Sequence, residues 1–365
     1  MSDRHAARQD RLRKALRGSN AEALLVTNET NVRYLSGFTG DSSYLLITPD
    51  SCQIISDSRF EEQIQEECPG LSALIRTQKM RMVDAVAEAV RKSGKKVIGF
   101  ESTHVAFSLW ETLRDAGGSI EWVPTDGLVE GLRAIKDAGE IGEIRKAVRL
   151  AERAFQHVTT GLTPAMTELE VAHALEAAIR RFGGVGVSFP SIVAVGDRGA
   201  LPHYRPAAKV LAESNQLLID WGAAGSGGYV SDLTRTFAIG KVSAKFEKIH
   251  GVVNRARQAA IEAIRPGIAA SEVDGIARRI IEEAGFGPRF GHGLGHGIGL
   301  EVHEAIRVNS ISTDTLAAGM VITIEPGIYV PGWGGVRIED DVLVTRDGYD
   351  VLSSLPRELE RVELA

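Results

Sequence analysis

Two segments of this chain place acidic residues at matching distances from glycine-rich turns, between strands that are otherwise apolar. In QLLIDWGAAGSGGYVSDLTRTFAI (216–239), Asp220 and Asp232 are symmetric about Ser226. In MVITIEPGIYVPGWGGVRIEDDVLVT (320–345), Glu325 and Glu339 are symmetric about Gly332. Apolar runs flanking such turns read as β-hairpins, so each pair is expected to face itself across two strands. Directly opposed residues have Cβ atoms about 5 Å apart, where like charges destabilise a sheet. A solvated outer face would explain one such pair. Two hairpins repeating it, among Ile219, Ile324 and Ile338, argue for a shared cation, because burying an unpaired charge costs several kcal/mol.

A third segment fits the same demand. GHGLGHGIGLEVHE (291–304) sets His292, His296 and His303 among five glycines. Ordering glycine costs backbone entropy, and here the glycines are expected to let the main chain pack close to a site into which His292 and His296 point. The glycines disfavour a helical His-Glu-x-x-His zinc motif, and the segment lacks the Gly-Lys-Ser/Thr ending of a phosphate loop. Four carboxylates, one imidazole and no thiolate make a hard, oxygen-rich donor set. It suits Mn²⁺ first, with Co²⁺, Zn²⁺ or Fe²⁺ as alternatives, and it exceeds what one tetrahedral zinc takes. Two ions bridged by carboxylates, about 3.5–4 Å apart, activate water at neutral pH. The residues therefore read as a binuclear metallohydrolase.

Length implies two domains, since 365 residues exceed the usual single core. The first third is α/β: AEALLVT, SYLLITP, CQIISD and KKVIGFE read as strands, and RFEEQIQEE and RMVDAVAEAVRKSG as helices. Helical spacing takes over through Ile141, Ile144, Val148, Phe155, which puts the boundary near residue 130, with domains 1–130 and 131–365. The second domain carries a faint repeat, residues 151–184 against 255–287: helix, Pro-containing turn, second helix, glycine. Its second helices open at Thr167/Glu170 and Ser271/Asp274, both in capping-box spacing. Two duplicated α/β halves would face each other across a cleft.

The remaining features exclude several classes. A net charge of −6 without a basic cluster beyond the Arg-rich N-terminal helix argues against nucleic acid. No apolar run is long enough to span a membrane, and MSDRHAARQDRLRKALRG reads as an amphipathic helix, not a secretory signal. Cys52 and Cys68 are expected to be reduced thiols of a cytoplasmic protein.

Taken together, FPSIVAVGDRGALPHYRP, LLIDWGAAGSGGYVSDLTRTF, GHGIGLEVHE, TIEPGIY and GVRIEDDVLV resemble the Xaa-Pro aminopeptidase and prolidase metallopeptidases, relatives of methionine aminopeptidase. NVRYLSGFTG resembles part of their small N-terminal domain. The resemblance implies a creatinase-like α/β N-terminal domain followed by an α+β pita-bread catalytic domain with pseudo-twofold duplicated halves. It implies two divalent metal ions on Asp220, Asp232, His296, Glu325 and Glu339. Glu325 would also shuttle protons, His203 and His303 would hold substrate and stabilise the tetrahedral intermediate, and His292 and Arg337 would lie on the substrate side. The family commonly spaces its two aspartates eleven apart; here they are twelve apart, so the first turn carries an extra residue. The implied substrate is an Xaa-Pro peptide and the implied assembly a homodimer. Length and the GFTG and GHGLGHG segments favour an aminopeptidase, with a dipeptide-restricted prolidase as the alternative. A metal-free binding protein and a hydrolase of another C–N bond are the more distant readings.

Overall fold

Ala23–Val26 is buried along its whole length, as a continuous apolar run at the centre of a sheet should be. The computed structural model describes residues 3–362, and the chain divides into two units, Met1–Arg133 and Ala134–Ala365. In the first unit the strand order is Ser72–Arg76, Cys52–Asp57, Tyr44–Ile47, Ala23–Val26, Val97–Glu101, Glu121–Thr125. Only Tyr44–Ile47 runs against its neighbours; the other pairings are parallel. The helix Met82–Ser93 buries Val83, Val86, Ala87 and Val90, one stripe at helical spacing. It stops at Gly94, whose φ of 69° suits a C-terminal cap. Cys52 and Cys68 are free thiols, as expected.

The second unit holds two helix pairs, each covering a hairpin. Ala138–Thr159 and Glu168–Arg181 share a core with Leu217, Ile219, Leu233 and Phe237 of the first hairpin. Ala244–Ala263 and Ala270–Glu283 share another with Ile322, Ile324, Ile338 and Val342 of the second. The repeated order expected from sequence is thus present, with one local difference. Thr167 and Glu170 form the expected capping box. Ser271 and Asp274 do not: that helix starts behind Ala269 with no side-chain cap. Asp274 is buried instead and takes Arg278 at 2.9 Å and the Leu294 N–H at 3.1 Å. Among the described residues, no helix is long and apolar enough to cross a membrane.

Candidate metal centre and active site

Strand alternation decides what reaches the site. In the second hairpin, Ile322, Ile324, Ile328, Val336, Ile338 and Val342 point into the core. The intervening residues, among them Thr323, Glu325, Tyr329, Arg337, Glu339 and Asp341, lie on the opposite face. The apolar neighbours that make the glutamates look isolated in sequence are therefore behind them. Ile324 pairs with Asp340 and Gly327 with Arg337, so Glu325 and Glu339 fall opposite each other on one register line. The turn centres on Gly332, at φ 73°, where the sequence placed it.

The first hairpin is centred one residue later than Ser226. Asp220 pairs with Thr234 and Trp221 with Leu233; Ala224 bridges Val230, and the Gly225 N–H reaches the Tyr229 carbonyl at 2.9 Å. The expected direct apposition of Asp220 and Asp232 is corrected: Asp232 lies across from Gly222. A one-residue shift of the centre moves the pairing by two, so both carboxylates keep the same face as diagonal neighbours. A Cβ on Gly222 would come within 1.9 Å of the Ser231 carbonyl oxygen, so the strands close at this point only around glycine. The pairing keeps one register from Asp220–Thr234 to Gly225–Tyr229, so neither aspartate is turned away.

The two hairpins are stitched together. Thr234 bridges Glu339: the Glu339 N–H donates to the Thr234 carbonyl at 3.1 Å, and the Thr234 hydroxyl to Glu339 Oε2 at 2.6 Å. Thr236 exchanges hydrogen bonds with the Arg337 backbone. His203, Asp220, Asp232, His292, His296, His303, Glu325, Arg337 and Glu339 all line one cavity of about 460 Å³. Ligand atoms of Asp232, His296 and Glu339 lie within 4.8 Å of one another. His296 Nε2 is 3.5 Å from Glu325 Oε1 and 3.7 Å from Asp232 Oδ2.

His296 reaches this point because Gly295 has no side chain: a Cβ there would lie 1.9 Å from the Thr323 carbonyl oxygen. Gly291 has no such neighbour, so close approach explains only part of the glycine run. The His296 and His303 rings stand edge to face, centroids 4.3 Å apart. The turn bearing His303 is anchored by the buried Lys136–Glu304 pair at 3.0 Å.

Sequence reasoning missed four contributors. Tyr329 links the substrate-side residues, its hydroxyl lying 2.9 Å from His292 Nε2 and accepting from Arg337 at 2.8 Å, while Arg337 also pairs with Asp220. Thr234 orients Glu339, and the Thr323 hydroxyl accepts the His296 N–H at 3.0 Å. Asp341 accepts the Asp232 N–H at 3.1 Å. Strand parity relative to Glu325 and Glu339 was the available signal for Tyr329, Thr323 and Asp341.

The electrostatics are those of acids crowded away from water. Burial, and then Asp220, Glu325 and Asp341, raise Asp232 well above the usual carboxylate range. Burial, then Asp232 and Glu325, do the same to Glu339. Burial pushes Glu325 up to about 8, and raises Asp220 despite Arg337. His296 is pushed down to about 3, by burial and then by His303, so it presents a neutral imidazole. Asp220 Oδ1 and Glu339 Oε1 are buried without a hydrogen-bond partner. Unsatisfied buried acceptors are costly, and here each belongs to a carboxylate whose other oxygen is already engaged. The donor set therefore fits divalent cations, which would satisfy those lone pairs and displace the protons.

The chain's relatives carry the same architecture. Residues 142–346 match the profile of Metallopeptidase family M24, and residues 8–135 match the Creatinase/Prolidase N-terminal domain. An Xaa-Pro dipeptidase of Pyrococcus horikoshii is 37% identical over 93% of this chain and 95% of its own. The structure of an Xaa-Pro dipeptidase from Bacillus anthracis superposes with a TM-score of 0.94 at 38% identity, covering 98% of this chain and 99% of that one. That of an X-Pro aminopeptidase from Thermotoga maritima gives 0.88 at 34%, covering 96% and 100%.

Proposed function

This chain belongs to metallopeptidase family M24, and on that premise we propose that it is an Xaa-Pro dipeptidase using two divalent metal ions. The observation that carries the reading is the convergence of Asp232, His296 and Glu339 in a cavity also lined by Asp220 and Glu325. Similarity to dipeptidases of P. horikoshii and B. anthracis favours the dipeptide-restricted reading over the aminopeptidase that sequence length suggested. The cavity lining adds support. Arg337 is committed to Asp220 and Tyr329, whereas Arg307 is an exposed cation on the same wall. A guanidinium so placed suits the free carboxylate of a C-terminal proline, a group that a longer peptide carries elsewhere.

Asp220, Asp232, His296, Glu325 and Glu339 would hold the ions, with Mn²⁺ the first candidate. When bound, the ions supply Lewis-acid polarisation and a water of lowered pKa. The protein's own groups do the rest. His203 and His303 face the cavity as donors to the scissile carbonyl oxygen, where charge develops. Glu325, partly open to the cavity, takes the proton of the attacking water and delivers it to the departing proline nitrogen. That delivery matters because a proline amide has no N–H and leaves as a secondary amine. The Arg337–Tyr329–His292 chain keeps His292 at the substrate side. A homodimer and a cytoplasmic location, implied by the family resemblance, belong to the same proposal.

The test is metal analysis together with hydrolysis of Ala-Pro and of a longer Xaa-Pro peptide. Bound divalent metal with cleavage of Ala-Pro alone supports the reading. Cleavage of both restores the aminopeptidase. Metal without either cleavage rejects proline specificity, and absence of tightly bound metal rejects the enzyme reading. Sedimentation tests the dimer.

A further inference from the structure

The loop that presents His203 is held on both sides, by Arg337 and by a pair with no role assigned so far. On one side the Pro202 carbonyl accepts from Arg337 at 3.4 Å. On the other, the Tyr204 hydroxyl donates to Glu168 Oε2 at 2.8 Å. Glu168 is wholly buried. Its carboxylate also accepts the Val195 N–H at 2.7 Å and the Ala207 N–H at 3.1 Å. Val195 ends the strand that leads into the loop, and Ala207 lies where the loop leaves the site. One carboxylate thus clasps the entry, the exit and the residue beside His203.

Tyr204 is aimed by packing as well. Its ring sits against Ile192, Ala194 and Leu218, on the sheet face that Asp220 shares by strand alternation. Burial, reinforced by the bond to Glu168, pushes its phenol up to about 12, so it remains a donor. An apolar plug would close such a loop at lower desolvation cost. A buried carboxylate whose donors are all present specifies one geometry instead.

We propose that Glu168 and Tyr204 are positioning residues that fix the His203 imidazole towards the carboxylate cluster. The proposal rests on the reading of His203 as a group that contacts substrate. Glu168 does not line the cavity; Tyr204 does, but its hydroxyl is committed to Glu168.

Tyr204→Phe keeps the ring and removes only the clasp. It is expected to lower kcat/KM for Ala-Pro about tenfold, the scale of a catalytic group displaced by a fraction of an ångström, with metal content held and Tm lowered by the few degrees that one lost hydrogen bond to a buried carboxylate costs. In a His203→Ala background the same substitution should change the rate by less than about twofold, since coupled residues are non-additive. Glu168→Gln, which retains one acceptor oxygen, should fall between Glu168→Ala and the parent. A Tyr204→Phe loss of equal size with and without His203 overturns the proposal. The Zn²⁺-loaded protein supplies a readout independent of turnover. Long-range ¹H–¹⁵N correlation of the imidazoles should show the His203 resonances shifted or broadened by Tyr204→Phe, and unmoved resonances reject the proposal. If the parent cleaves no Xaa-Pro substrate, the functional reading fails, and these resonances alone decide whether the clasp positions His203.

Discussion

Asp232 is a residue at which the proposed metal site can be tested with little change of shape. Its backbone N–H is tied to Asp341 and its carboxylate faces His296. Replacement by Asn keeps the shape and removes an anion. Asp232→Asn is expected to abolish Ala-Pro hydrolysis and to bring metal content below that of the parent. Full occupancy with near-normal turnover would remove Asp232 from the ligand set. His303 is the contrasting case. It is more open than His296 and touches it edge to face, and the role proposed for it is donation to the developing oxyanion. His303→Ala should keep its metal and lose about 10²–10³ in kcat, the scale of one lost oxyanion donor. Loss of metal in that variant would make His303 a ligand instead.

At the scale of strands and turns, legibility followed how tightly each turn defines its centre. The second hairpin turns through three residues, Pro331–Trp333, between Val330 and Gly334, so counting outwards from Gly332 gives the true pairing of Glu325 with Glu339. The first also turns through three residues, Ser226–Gly228, between Gly225 and Tyr229, but it lies within a run of small residues in which nothing local chooses Gly227 over Ser226. What chooses is close approach at Gly222 and the pairing of Ala223–Ala224 with Gly186–Val187, contacts distant in sequence. The Ser271/Asp274 cap was misread for a related reason: Asp274 is drawn to Arg278 and Leu294, partners outside the capping pattern. Tyr329 was hidden because its meaning depends on Arg337 and His292 meeting it in space. The strand Gly295–Gly297 offers an element-scale check. Gly295→Ala would push a methyl into the Thr323 carbonyl and is expected to cost about 1–3 kcal/mol, as overpacking does. Thermal unfolding measures it, and an unchanged Tm would show that the strand can part from its neighbour.

Across the whole molecule, buried ionisable groups make stability depend on pH and on metal. His250 lies inside the helix Ala244–Ala263, beside Phe246, far in sequence from the donor residues. Burial lowers it from 6.5 to about 4. The unfolded chain therefore takes up this proton first as pH falls. The contribution is intact above about 6.5 and is lost on descending towards 4. His250→Phe should flatten that part of the stability profile, measured by urea unfolding at stepped pH. A slope identical to the parent's would exclude His250 as its source.

The bridge between Thr234 and Glu339 has a mechanical consequence. Each hairpin is glued by hydrocarbon to its own pair of helices, whereas the seam between hairpins is mixed: acids, threonines, Arg235 and Arg337 meet at one part of it, and Tyr229 and Val230 pack with Val321 and Leu343 at another. Cations at the polar part would act as rivets through a joint that greasy contact closes only in part. Calorimetry of the catalytic unit should then give a single cooperative melt when loaded, and a lower, broadened or split one after chelation. A profile indifferent to chelator would mean that the joint holds without rivets.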